Sequence, residues 1–105
     1  MPPVLILNLM AKYFAPFVGK EPAALSINGH KLLIVARDRS CLEDALEIIG
    51  GDRVKGFQAG RSRESRDDLF ERLAKKINGG VVIAPPHTEV SDIIRNLEIE
   101  LPWLQ

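Results

Sequence analysis

The sequence predicts a single α/β domain with a mixed, mainly parallel sheet, crossover helices and an N-terminal β-hairpin extension. Three observations carry that expectation. Apolar runs of strand length recur along the chain, Asn28-Gly29 separates two of them, and after Val35 the hydrophobic period moves between two and 3.6. At 105 residues the chain is one domain, and a domain of that size buries about two-thirds of the surface its unfolded chain exposes. The expected organisation is a strand and hairpin extension over 1–30, followed by a β-α-β-α-β-α-β core over 31–105.

Each element has a local reason. Val4 to Met10 is a nearly continuous apolar run and reads as a strand. Ala11 to Pro22, with Tyr13, Phe14, Phe17 and Val18 around Pro16, reads as a short interrupted helix or an irregular connection, because proline breaks a helix interior. Ala24 to Ile27 and His30 to Val35 flank Asn28-Gly29, whose tolerance of positive φ makes it a two-residue hairpin turn. Ser40-Cys41-Leu42-Glu43 has the spacing of a capping box, and Leu42, Ala45, Leu46 and Ile49 then form one apolar stripe that ends at Gly50-Gly51. Val54 to Ala59 follows as a strand, with Gly56 interrupting it. Ser65 is the N-cap of a helix whose inward face is Leu69, Phe70, Leu73, Ala74 and Ile77, ending at Asn78-Gly79-Gly80. Val81 to Ala84 is a buried strand. Thr88 caps a third helix with Val90, Ile93, Ile94 and Leu97 on one face. The alternating tail Ile99 to Leu104 is a last edge strand, held to an edge by Pro102.

Composition narrows the function classes. Hydrophobic residues are 46% and charged residues 27% of the chain, an ordinary globular balance. With 14 basic and 14 acidic residues, the molecule as a whole has no net pull on nucleic acid or an anionic membrane, so any such attraction is local. The single Cys41 excludes an internal disulfide, and the absence of a Cys/His cluster argues against a metal site. No cofactor motif is present, and a reducing cytoplasm is the expected location. The apolar opening is too short to span a bilayer and lacks a basic flank and a cleavage site, so it reads neither as a span nor as a leader.

A parallel α/β sheet gathers its ligand sites at the carboxyl ends of its strands. Three segments fall there: Arg37-Asp38-Arg39-Ser40-Cys41, Gly60-Arg61-Ser62-Arg63, and Pro85-Pro86-His87-Thr88-Glu89. Five of the eight arginines, Arg37, Arg39, Arg61, Arg63 and Arg66, belong to that edge or its helix starts. Guanidinium forks match phosphate oxygens, and helix N-termini add N–H donors, so these five are the candidate anion contacts. The bland reading is equally weighted: solvated loop arginines paired with Asp38, Glu64 and Asp67. Cys41, at a helix start near two arginines, is a candidate for thiolate character, weighed against a small packed residue. His87 with Asp38 as partner is a candidate general base, weighed against an ordinary loop histidine. Neither sits in a complete catalytic motif, and no glycine pattern of a nucleotide cradle is present.

The element order from Lys31 to Leu97 is Rossmann-like and is similar to the Toprim domain of topoisomerases and primases, in topology alone. That family's pattern places an acidic residue after the first strand and a DxD after a later one. Here those places hold Ala36-Arg37 and Pro86-His87-Thr88, so the resemblance implies a site without metal. The leading expectation is a non-catalytic binding or regulatory module that recognises a phosphate-bearing partner, a nucleotide or nucleic-acid backbone, through the arginine edge. The alternatives are a structural or assembly subunit that forms oligomers through edge strands, and a small enzyme using Cys41 or His87.

Overall fold

The computed structural model describes residues 10–60, 65–85 and 87–100. In chain order the elements are β1 (Met10–Val18), β2 (Glu21–Pro22), β3 (Leu25–Ile27), β4 (His30–Ala36), α1 (Arg39–Glu43), α2 (Leu46–Ile49), β5 (Arg53–Gly60), α3 (Arg66–Ile77), β6 (Gly80–Ala84) and α4 (Val90–Glu100). The six strands form one mixed sheet. β1 runs antiparallel to β5 along nearly all of its length, from Met10↔Gly60 to Phe17↔Arg53. It also meets β4 at Phe14↔Ala36 and β2 at Phe17↔Pro22 and Val18↔Glu21, both antiparallel. β4 carries β3 antiparallel and β6 parallel, the latter from Leu32↔Gly80 to Ala36↔Ala84. The long strands therefore stand in the order β5-β1-β4-β6, with β2 and β3 as short arms.

This corrects the expected mainly parallel, Rossmann-like or Toprim-like sheet. Four strand pairings among the described residues are antiparallel and only β4 with β6 is parallel. The cause is β1. The stretch read as a broken helix or connection is a nine-residue strand inserted between β4 and β5. Its Tyr13, Phe14, Phe17 and Val18 suit a pleated surface, and Pro16 fits because of where its missing N–H falls. In an extended strand a residue's N–H and C=O point to the same side, and the Pro16 carbonyl accepts the Ala23 N–H at 2.8 Å. On that side β1 pairs at Phe14 and again at Phe17, with position 16 in the gap, so no ladder bond is lost.

Alternation then distributes the core over both faces. Tyr13, Ala15, Phe17, Leu33, Val35 and Ala59 meet Leu69, Leu73 and Ile77 of α3 on one face. Ile34, Ala36, Val54 and Ala84 meet Leu42, Ala45 and Ile49 of the α1–α2 segment and Val90 and Ile93 of α4 on the other. Leu33, Ile34, Leu42, Leu69 and Leu73 are fully buried, and each such side chain contributes about 1.5–3 kcal/mol of transfer free energy.

The hairpin turn forms as its sequence requires, with φ of 52° at Asn28 and 86° at Gly29. Its second arm, β4, lies at the centre of the sheet between β1 and β6. Ser65 caps α3, its Oγ accepting the Asp68 N–H at 3.2 Å, and Asn78 ends that helix in the left-handed region. The helix expected from Ser40 is different in two ways. Its N-cap is Asp38, whose Oδ1 accepts from the Ser40 N–H and hydroxyl, and the helix breaks at Asp44-Ala45 into α1 and α2. Ile99 lies in α4 and not in an edge strand, while 101–104 lie outside the described residues. So does the strand expected over 4–10, apart from Met10.

Candidate functional site

β4 and β5 both run against β1, and β6 runs with β4, so the carboxyl ends of all three lie at one edge of the sheet. The register staggers them. Ala36 stands level with Phe14, and Phe14 with Gly56. From there β5 continues to Gly60, about 13 Å further at ~3.4 Å per residue. The edge is thus a step, with the β1–β5 ribbon projecting beyond β4 and β6.

The expected anion contacts divide across this step. Arg37 follows β4 onto the α3 face, its guanidinium 5.3 Å from the centre of the Tyr13 ring. Arg66 begins α3 on that same face and lies 3.5 Å from Asp67. Arg39 starts α1, which packs on the opposite face, and pairs with Glu43 at 3.4 Å. Both ion pairs are well exposed to solvent and are therefore weak. Arg61 and Arg63 follow the end of β5 and lie outside the described residues.

Three cations that the sequence reading did not single out join Arg37 on the ribbon. Lys55 stands 5.4 Å from the Phe17 ring and 5.4 Å from the Phe57 ring, and Arg72 of α3 is 5.7 Å from Phe57. On the other face Lys12 lies 5.5 Å from the Phe14 ring. The β1–β5 register builds these stacks: Tyr13 is opposite Phe57, Lys55 is opposite Ala15, and Phe14 is opposite Gly56. Gly56 leaves the room, since a Cβ there would come to 3.0 Å from Lys12 Cε and 3.2 Å from the Phe14 ring. No carboxylate among the described residues forms an ion pair with Lys12, Arg37 or Lys55. Arg53, by contrast, is held by Asp52 at 3.0 Å. The Gly19 N–H and the Arg53 guanidinium both donate to that carboxylate, and the Gly19 bond leads in holding its pKa below the ordinary value. The period-two pattern of a strand would have revealed this face, had Ala11 to Pro22 been read as one.

The lower side of the step holds a cleft of about 400 Å³ between α1 and the loop before α4. Asp38, Cys41 and His87, the three candidate catalytic residues, all line it. The chemistry there is not that of an activated nucleophile. The Cys41 thiol donates to the Thr88 carbonyl at 3.1 Å. Burial pushes its pKa up, and the neighbouring Asp38 and Asp44 carboxylates push in the same direction. Thiolate character expected from Arg37 and Arg39 is therefore reversed. Arg37 lies against Tyr13 and Arg39 against Glu43, while the nearer charges are acidic. His87 is exposed and left-handed at φ 63°. With Glu89 as a third carboxylate and no Arg or Lys lining it among the described residues, the cleft does not suit an anion.

No family model, curated protein or solved structure matches this chain. Among the described residues no helix is long and apolar enough to cross a membrane, and no group of three or more His, Cys, Asp and Glu side chains is arranged to hold a metal ion.

Proposed function

We propose that this protein is a non-catalytic binding module for a phosphate-bearing partner, a nucleic-acid backbone, which it contacts along the β1–β5 ribbon. One observation supports the reading above others: Arg37 and Lys55, on the α3 face of the sheet, lie on aromatic rings with no carboxylate paired to them among the described residues. A cation resting on a ring is held in place yet keeps its charge available to phosphate oxygens. Arg37 and Lys55 stand two strands and two residues apart, about 12 Å by sheet spacings, a distance that covers several phosphates of one strand. Arg66 opens α3 on the same face as Arg37 and extends the proposed surface; Arg61 and Arg63, which follow β5 in sequence, lie outside the described residues. Arg39 is set apart on the far face beside acidic residues. The lone free cysteine suits a reducing compartment, and a cytoplasmic location belongs to the same proposal.

The test is binding of a fluorescently labelled oligonucleotide at rising salt. Each phosphate contact contributes about 0.7–0.9 to the slope of log affinity against log salt. Replacing Arg37 and Lys55 together with alanine is expected to weaken binding and flatten that slope by about 1.5, with the folded spectrum unchanged. A salt response that is flat in the wild type overturns the reading, and competition by a mononucleotide at equal phosphate concentration redirects it to a nucleotide.

A further inference from the structure

The two outer strands of the sheet meet solvent differently. Among the described residues β5 pairs only with β1 and β6 only with β4, so each leaves one row of backbone N–H and C=O groups without a strand beside it. β5 carries Arg53 and Lys55, and charges of this kind keep further strands from adding to an edge. β6 has no such device. Gly80-Val81-Val82-Ile83-Ala84 carries no charge and no proline; Val81 and Val82 are half-buried, and Ile83 is 45% exposed.

We infer that β6 pairs antiparallel with β6 of a second copy of this chain, with Val82 on the two-fold axis. An open backbone row is satisfied by another strand, and a charge-free apolar strand selects one of the same character. This strand is its own complement. About Val82 the pairing sets Val81 opposite the partner's Ile83 and Gly80 opposite the partner's Ala84, with no like charges facing each other. An antiparallel ladder alternates bonded and non-bonded pairs, so this axis works whichever alternate residues of β6 turn their backbone outward. An axis normal to the sheet also keeps the faces together, so exposed Ile83 gains an apolar neighbour on the α3 side. The same operation on β5 would set Arg53 and Lys55 of both copies along one seam, so the two-fold belongs at β6. This dimer does not depend on the nucleic-acid reading.

Sedimentation equilibrium of the full chain tests it. The expected mass is twice the 11.7 kDa of one chain, and Ile83→Lys is expected to return it to one chain with an unchanged far-UV spectrum. A second variant, Val82→Cys with Cys41→Ser, places one cysteine per chain on the axis and is expected to form a disulfide-linked dimer on mild oxidation. A wild-type monomer overturns the inference. So does a dimer that survives Ile83→Lys, or one in which the Val82→Cys chains fail to cross-link.

Discussion

The β1–β5 ribbon and the cleft beside α1 lie at the same edge of one sheet, yet they have opposite electrostatic character. On the ribbon, lysine and arginine side chains rest on rings and keep their charge available. In the cleft, Asp38, Asp44 and Glu89 surround a thiol that is held protonated. A chain with balanced formal charge thus separates its signs in space. The cleft offers concavity and familiar catalytic residue types without activation, whereas the ribbon offers accessible cations without concavity. A linear partner such as a polyanion suits the second and has no need of the first.

The variant with the largest expected effect removes both regions at once. Gly79 sits where the chain leaves α3 for β6, and a Cβ there would overlap the Lys31 backbone carbonyl. Gly79→Ala must displace either β4 or the α3–β6 junction, and a loss of about 3 kcal/mol or more is expected, at the upper end for one substitution. Chemical denaturation measures it, and an unchanged midpoint would show that the junction relaxes freely. A smaller effect separates the regions. Asp38→Asn keeps a good N-cap for α1 but removes one of the two carboxylates that raise the Cys41 pKa. Alkylation of the thiol at fixed pH is expected to rise modestly, because desolvation, the leading cause, remains. Oligonucleotide affinity should hold or increase slightly. The sign of the linkage is definite: a thiol whose folded pKa is raised adds stability below its unfolded pKa and loses it as pH rises through the folded value. Asp38→Asn therefore narrows that alkaline loss, and equal alkylation rates in both proteins would contradict the assignment.

Much of the fold was legible in local chemistry. Asn28-Gly29 specified its turn, Ser65 its cap, and the apolar stripe Leu69, Leu73 and Ile77 its helix face, because each signal acts within a few residues. What escaped was β1, and with it the order of the sheet. Pro16 is a strong helix and strand breaker on average, and its tolerance here depends on a gap between β2 and β4 that only the tertiary structure creates. The candidate site was affected by the same misreading. Asp38, Cys41 and His87 do come together, as edge residues of β4 and β6. Lys12 and Lys55 went unnoticed because their significance rests on Phe14, Phe17 and Phe57 being neighbours across strands. The cap of α1 illustrates a finer limit. Ser40 and Asp38 both have capping chemistry, and Asp38 prevails by accepting two bonds from Ser40.

Amide and side-chain NMR shifts recorded while an oligonucleotide is added locate the binding surface residue by residue. Perturbations are expected at Arg37 and Lys55 and along β1 and β5, with Asp38 to Asp44 and Thr88 to Ser91 little changed. Perturbations concentrated in the cleft, with the ribbon silent, would contradict it.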